Sequence, residues 1–312
     1  MKKKSILIVG TGAMATLFAA KLSAAGISVS MLGSWQDGVN ALKRKGACLL
    51  DDNGTAKCYP VQVFQRGSAC GEVHHAIVLV KAWQTARAAR QLAACLHREG
   101  VALSLQNGLG NGKILSESLG TDRVAQGVTV VGATLLAPGT VKVSGNAKVS
   151  VETHPRLGAI NAYLTEAGVE LARVPQVEAL IWRKLVINAA INPLSALLDV
   201  PNGALLESPA AKTLLGALAE ETAAVARAKK IPLEMDDPAA AAEAVARQTS
   251  ANISSMLQDL RRGAPTEIDA ICGAIMRAGE ELSVKTPLNR SFWQLIRAKV
   301  DLANHGKISE NL

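Results

Sequence analysis

Short, continuous apolar runs recur along the first half of the chain. The clearest is Ser5-Ile6-Leu7-Ile8-Val9, and similar runs lie at 28–32, 76–80 and 101–105. Apolar runs of this length without alternation are typical of parallel strands that are buried on both faces. The first half of the chain is therefore predicted to alternate strands with helices around an open, mostly parallel sheet.

A glycine turn follows the first of these strands directly. Its six residues are Gly10, Thr11, Gly12, Ala13, Met14 and Ala15. A helical pattern then runs to about Ala25, and the next strand follows, which is the context in which Gly-x-Gly-x-x-Ala binds a dinucleotide. Gly10 makes the turn, Gly12 admits a pyrophosphate to the backbone, and Ala15 allows close packing of helix on strand. We expect a Rossmann-type dinucleotide-binding domain; the alternative is a glycine turn without a ligand.

The residues after the second strand usually determine which nicotinamide dinucleotide such a domain binds. An acidic residue there binds the ribose 2′-hydroxyl of NAD, and a basic residue binds the 2′-phosphate of NADP. Here the strand is followed by Gly33-Ser34-Trp35-Gln36-Asp37, with neither kind immediately after it. Asp37 is placed to reach a ribose, and Lys43 and Arg44 to reach a phosphate. Both cofactors stay open.

Two further polar residues are predicted beside the cofactor. Lys81 follows the apolar run 76–80, and Asn107 follows the run 101–105. Ligands of open α/β sheets bind beyond the carboxyl ends of the strands. We therefore expect both side chains near the ribose and nicotinamide, although each alone also fits a surface lysine and an Asn-Gly turn.

After Pro175-Gln176 the pattern becomes helical only, which predicts two domains, 1–175 and 176–312. The predicted helices of the second domain include 209–230, 238–261, 266–283 and 288–304.

The segment 182–195 predicts a helix that is apolar almost all round. Lys184, Asn188 and Asn192 nevertheless recur at spacings of four, which places them on one face. One cation and two amides suit a ligand with a carbonyl, a hydroxyl and a carboxylate. The alternative is a lysine that reaches solvent and two asparagines bonded to nearby backbone. Pro193 is expected to kink or end the helix.

Composition limits the other classes of function. The 312 residues are 49% hydrophobic and 19% charged, and no apolar run approaches the ~18 residues of a membrane span. Five cysteines without a Cys-x-x-Cys pair predict reduced thiols, no metal site and a cytoplasmic protein. The formal charge of +8 favours anionic small molecules. Aromatic residues are only 3%, so a nucleic-acid surface built on stacking is not expected.

The chain resembles the ketopantoate reductase (2-dehydropantoate 2-reductase) family over nearly its whole length. The matching segments are the glycine turn 10–15, Val80-Lys81-Ala82-Trp83-Gln84, Gln106-Asn107-Gly108, Trp182-Arg183-Lys184-Leu185, Asn192-Pro193-Leu194, Pro201-Asn202-Gly203, the run 252–259, and Thr266-Glu267-Ile268-Asp269. The glycine turn is generic. The stretches around Asn192 and in 252–259 are specific to this family.

The resemblance implies a Rossmann-type domain, an all-helical substrate domain, and reduction of ketopantoate to pantoate on the route to pantothenate and coenzyme A. It implies Lys184 as the proton donor and Glu267 near both the nicotinamide ribose and the substrate hydroxyl. The other residues that it implies are Asn188, Asn192, Asn202 and Ser255 for the substrate, and Lys81, Asn107 and Ala133 for the cofactor. The family commonly has an arginine for the NADPH 2′-phosphate where this chain has Gly33. The resemblance implies NADP as the cofactor, and Gly33 leaves NAD as an alternative.

Taken one at a time, three of these residues have simpler roles. Asn202 could cap the next helix, Ser255 could bond its own helix backbone, and Glu267 could be an acid in the first turn of a helix. Reduction of another 2-keto acid and nucleotide sensing without turnover are the competing functions. No nucleic-acid or membrane partner is expected, and the chain is expected to be a monomer or homodimer.

Overall fold

The computed structural model describes residues 4–51 and 53–309. It divides into two compact units. The first extends to Gln106 and resumes from Asn111 to Val177; the second consists of Asn107–Gly110 and the chain from Glu178 onward.

The first unit contains the predicted α/β sheet. Among the described residues eight strands form it, in the order β12-β11-β8-β7-β6-β1-β2-β5. All neighbours are parallel except β8 and β11. These strands are β1 (Ser5–Val9), β2 (Ser28–Leu32), β5 (Gln62–Phe64), β6 (Val73–Val78), β7 (Leu96–Ser104), β8 (Val124–Thr129), β11 (Lys148–Glu152) and β12 (Glu170–Val174).

Helices cover both faces of the sheet. They are α1 (Ala13–Ala24), α2 (Gln36–Lys45), α3 (Thr85–Ala93), α4 (Asn111–Leu119) and α5 (Gly158–Glu166). Successive side chains of β1 enter opposite cores: Ile6 and Ile8 pack with Phe18 of α1, and Leu7 and Val9 pack with Leu92 of α3. This two-sided burial explains why β1 is apolar without alternation.

A smaller sheet also belongs to the first unit, with the strand order β4-β3-β10-β9. Its strands are β3 (Ala47–Leu50), β4 (Ala56–Tyr59), β9 (Gly132–Ala137) and β10 (Thr140–Ser144). The prediction that all thiols are reduced is wrong here, because Cys48 and Cys58 form a disulfide. The two residues face each other across the antiparallel β3–β4 pair, with Cα atoms 4.0 Å apart. Strand pairing brings them together, and sequence spacing carries no such signal.

The second unit is helical, as predicted. Its helices are α6 (Val177–Leu198), α7 (Pro209–Ala228), α8 (Pro238–Gln248), α9 (Ser255–Arg261), α10 (Cys272–Glu281) and α11 (Pro287–Ser309). The predicted helix 238–261 is wrong in one respect, because a turn divides it into α8 and α9. The helix predicted from 266 begins later, at Cys272, after an irregular turn.

The core of the second unit forms around α6. Trp182, Val186, Ala189 and Ala190 are buried, and they pack with Leu215 of α7 and other apolar residues. No helix in the described part of the chain is long and apolar enough to cross a bilayer.

Candidate active site

The glycine turn has the geometry of a phosphate cradle. Gly10 has φ +136°, and a Cβ there would lie 3.2 Å from both the Leu79 carbonyl and the Ala15 side chain. Gly12 precedes α1 with extended backbone, and no side chain caps the helix. A Cβ on Gly12 would meet no atom within 4 Å. The first amides of α1 thus lie at an open, uncapped helix N-terminus, which fits the pyrophosphate of a dinucleotide.

The other residues of the turn line the same region. Thr11 is buried, and Ala13 and Met14 form the partly buried first turn of α1. A Cβ on Gly33 would lie 2.5 Å from Thr11 Cγ2 and 2.7 Å from its Oγ1. The Thr11 side chain therefore occupies the space that any side chain at position 33 would need.

A hydrogen-bond network joins the ends of β6 and β7. The Gln106 amide donates to the Val80 carbonyl at 3.0 Å and to Thr85 Oγ1 at 2.7 Å. Thr85 Oγ1 in turn donates to Asn111 at 2.8 Å. Lys81 directly follows Val80. Its backbone is extended, and it precedes the short 3₁₀ helix Ala82–Gln84. Gln106 belongs to the predicted segment Gln106-Asn107-Gly108, whereas Thr85, four residues after Lys81, was not predicted as a site residue.

Asn107 begins the short segment Asn107–Gly110 that belongs to the second unit. The Leu109 amide donates to the Ala270 carbonyl at 3.0 Å. Gly108 has φ +82°, and a Cβ there would lie 2.5 Å from the same carbonyl oxygen. Only glycine allows this approach, which sets Asn107 beside the turn that begins at Glu267.

The remaining predicted cofactor contact, Ala133, lies on β9 of the small sheet. It is partly buried and pairs with Val143 of β10.

Lys184, Asn188 and Asn192 occupy one face of α6, as their spacing predicts. Asn192 is buried, and the other two are partly buried. Pro193 was predicted to kink or end the helix. It does not end the helix, because α6 continues to Leu198. Ser195, buried on the following turn, extends this polar face.

Burial lowers the pKa of Lys184 to about 8, and the nearby Glu267 carboxylate acts in the opposite direction. Glu267 is itself only 6% exposed. It does not lie in a helical first turn, since its carbonyl oxygen accepts from the Ala270 and Ile271 amides in the turn before α10. A lysine with this pKa is charged at neutral pH and still able to release its proton, which suits a general acid.

The N-terminus of α9 is bonded to the polar face of α6. Ser195 Oγ donates to Ser254 Oγ at 2.7 Å, and Ser254 Oγ accepts from the Leu257 amide as the cap of α9. Ser255, the first residue of α9, is partly buried beside this bond. The sequence suggested Ser255 only; the Ser195–Ser254 hydrogen bond forms because the beginning of α9 lies against α6.

Asn202 is buried at the start of a short 3₁₀ helix. Its Nδ2 donates to Thr249 Oγ1 at 2.9 Å, and its backbone amide donates to the Asn252 carbonyl at 3.0 Å. The helix-capping alternative is therefore wrong, because Ser208 caps the next helix. The Asn202 Oδ1 atom is buried and has no hydrogen-bond partner within the described structure.

Two family models match the chain, one for each part. "Ketopantoate reductase PanE/ApbA" matches residues 6–156, and "Ketopantoate reductase PanE/ApbA C terminal" matches residues 176–300.

Curated relatives match along nearly the whole chain. The 2-dehydropantoate 2-reductase of Archaeoglobus fulgidus is 34% identical over 95% of this chain and 98% of its own length. That of Vibrio cholerae is 32% identical, with coverage of 94% and 97%.

Solved structures with the same architecture include two with TM-scores of 0.89. A PanE/ApbA family ketopantoate reductase from Ralstonia eutropha JMP134 is 30% identical and matches over 96% of this chain and 100% of its own. A D-mandelate dehydrogenase, solved with NADH and anilino(oxo)acetate, is 27% identical with coverage of 96% and 99%. Because the two family models span the α/β and the helical parts and the relatives match end to end, the chain belongs to the ketopantoate reductase family.

Proposed function

We propose that this protein is a 2-dehydropantoate 2-reductase that uses Lys184 as its proton donor. It reduces ketopantoate to pantoate, a step of pantothenate biosynthesis. The observation that carries the proposal is the Lys184 ammonium, with a pKa of about 8, on a helix face that also presents Asn188 and Asn192.

The chemistry requires a hydride and a proton. The reduced nicotinamide, when bound, supplies the hydride to the ketone carbon. Lys184 polarises the carbonyl oxygen, stabilises the negative charge that develops there and then protonates it. Glu267 opposes the effect of burial on the lysine and so keeps it charged at neutral pH.

The substrate contacts come from the same unit. Asn188 and Asn192 can each donate and accept a hydrogen bond, which suits the carboxylate and hydroxyl of ketopantoate. Asn202 is a further substrate residue in this proposal, since its buried Oδ1 has no hydrogen-bond partner among the described residues. Ser255 adds a hydroxyl at the first position of α9, which can donate a hydrogen bond to a carboxylate.

The cofactor is a nicotinamide dinucleotide. We propose NADP(H), with the pyrophosphate on the glycine turn Gly10–Ala15 and further contacts from Lys81, Asn107, Ala133 and Glu267. The support is the open, uncapped N-terminus of α1 and the excess of basic residues.

A second candidate is reduction of an aryl 2-keto acid with NADH. The observation that favours it is the similarity to D-mandelate dehydrogenase, which was solved with NADH and an anilino keto acid. The missing arginine at position 33 also agrees with NADH.

A substrate and cofactor panel tests both candidates. Loss of nicotinamide absorbance would be followed with NADPH or NADH and either ketopantoate or phenylglyoxylate. Rapid turnover of ketopantoate that collapses in Lys184→Ala, but not in the exposed control Lys212→Ala, is the expected result. Preference for phenylglyoxylate would favour the second candidate, and near-normal turnover by Lys184→Ala would refute the assigned proton donor.

A further inference from the structure

Three arginines line a groove of about 510 Å³ in the α/β unit, outside the site described above. They are Arg66, which follows β5, and Arg87 and Arg90 on α3. All three are exposed, and none forms an ion pair with any residue that the structure describes. The described lining residues include no carboxylate. Three like charges that no described lining residue neutralises create a strong local attraction for an anion.

Close packing of two segments builds the groove. The Gly67 amide donates to the side-chain oxygen of Gln91 on α3. A Cβ on Gly67 would lie 2.0 Å from the Gln91 backbone oxygen, so only glycine lets the loop rest on the helix. Arg87 and Arg90 are three residues apart and share one face of α3. The loop therefore holds Arg66 against the same groove.

The loop that carries Arg66 follows β5, the neighbour of β2, and the adenosine ribose binds beyond the end of β2 in a Rossmann-type domain. Strands β2 and β5 are parallel neighbours with Leu32 opposite Phe64, and the Gly33 amide donates to the Phe64 carbonyl at 3.0 Å. Arg66 follows β5 by two residues just as Ser34 follows β2, and the two strands that they follow lie ~4.8 Å apart. An arginine side chain is long enough to cross that spacing.

The usual position for a phosphate-binding arginine is closed in this chain. The Thr11 side chain lies where a Cβ on Gly33 would be, at 2.5 Å, and Thr11 is only 4% exposed. A cation for the 2′-phosphate must therefore come from another segment.

We propose that Arg66 binds the 2′-phosphate of NADP, with Arg87 and Arg90 adding positive potential. From the end of the neighbouring strand, Arg66 supplies the positive charge that an arginine at position 33 would otherwise supply. A guanidinium pairs with a phosphate through two parallel hydrogen bonds, which gives discrimination as well as affinity. This inference rests on the proposed function, since it assumes that the α/β unit binds a nicotinamide dinucleotide.

The test compares Arg66→Gln with two matched variants. Arg98→Gln removes the same charge at the beginning of β7, and Arg44→Gln tests the alternative basic residue on α2. Arg66→Gln is expected to raise the KM for NADPH about ten- to a hundredfold, the range for a lost hydrogen bond to a charged group, and to change the KM for NADH less than about twofold. The expected effect of Arg98→Gln is below about twofold for both cofactors.

Direct binding provides a second measurement that does not need turnover. Calorimetry would compare 2′,5′-ADP with 5′-ADP on each variant. The wild type is expected to bind 2′,5′-ADP more tightly, and Arg66→Gln to lose only that advantage.

Three outcomes would overturn the inference: an unchanged NADPH to NADH ratio in Arg66→Gln, loss of NADPH discrimination in Arg44→Gln instead, or equal binding of the two nucleotides by the wild type. Absence of turnover with every keto acid, while 2′,5′-ADP still binds through Arg66, would instead reject the proposed function alone.

Discussion

The protonation state of Lys184 should set the pH dependence of ketopantoate reduction. Its pKa is about 8, so the ammonium predominates at pH 7 and is lost as pH rises through the pKa. Because reduction needs the protonated form, kcat/KM is expected to be flat below the pKa and to fall about tenfold per pH unit above it. An ordinary lysine, with a pKa near 10.5, would show no such decline until far more alkaline pH.

The reverse reaction provides an internal check on this reasoning. Oxidation of pantoate needs the neutral lysine as a base, so its kcat/KM should rise with pH and level off near the same pKa. Steady-state rates in both directions would be measured over one buffer series of constant ionic strength.

Glu267→Gln removes the group that raises the pKa of Lys184. Desolvation then acts unopposed and the pKa of Lys184 falls. The decline of the forward kcat/KM and the rise of the reverse kcat/KM are therefore both expected to move to lower pH. Glu280→Gln is the control, because it removes the same charge from an exposed site where Glu280 pairs with Arg290. Identical pH profiles for the wild type and Glu267→Gln would refute the effect of Glu267 on the pKa of Lys184. A forward kcat/KM that declines only near pH 10 in the wild type would refute the effect of burial on the proton donor.

Three further predictions concern the scaffold. Gly108→Ala should lower the free energy of unfolding more than Gly110→Ala, since both have positive φ but only Gly108 also meets a backbone oxygen; equal losses in urea melts would contradict this. Ser254→Ala should cost about 1–2 kcal/mol through its lost cap, whereas Ser255→Ala should leave stability within about 0.5 kcal/mol and raise the KM for ketopantoate. Cys58→Ser should lower stability by about 2–3 kcal/mol under oxidising conditions and have little effect after reduction, as calorimetric melts would show.

Local pattern was sufficient for much of the fold. The strand, glycine turn and helix at the beginning of the chain lie within one short segment, so their geometry follows from backbone preferences and apolar periodicity. The polar face of α6 was equally predictable, because residues four apart must share a side of a helix. Helix ends were less certain: the turn between α8 and α9 has no proline to mark it.

Contacts between distant segments decided the rest. Glu267 lies near Lys184 because the turn before α10 packs against α6. Ser254 bonds to Ser195 because the N-terminus of α9 also lies against α6. Cys48 meets Cys58 only through strand register, and Arg66 joins Arg87 and Arg90 only because Gly67 rests on α3. The sequence thus determined which elements form and which side chains each presents. The tertiary structure determined which of those side chains meet, because burial and charge act through space and not along the chain.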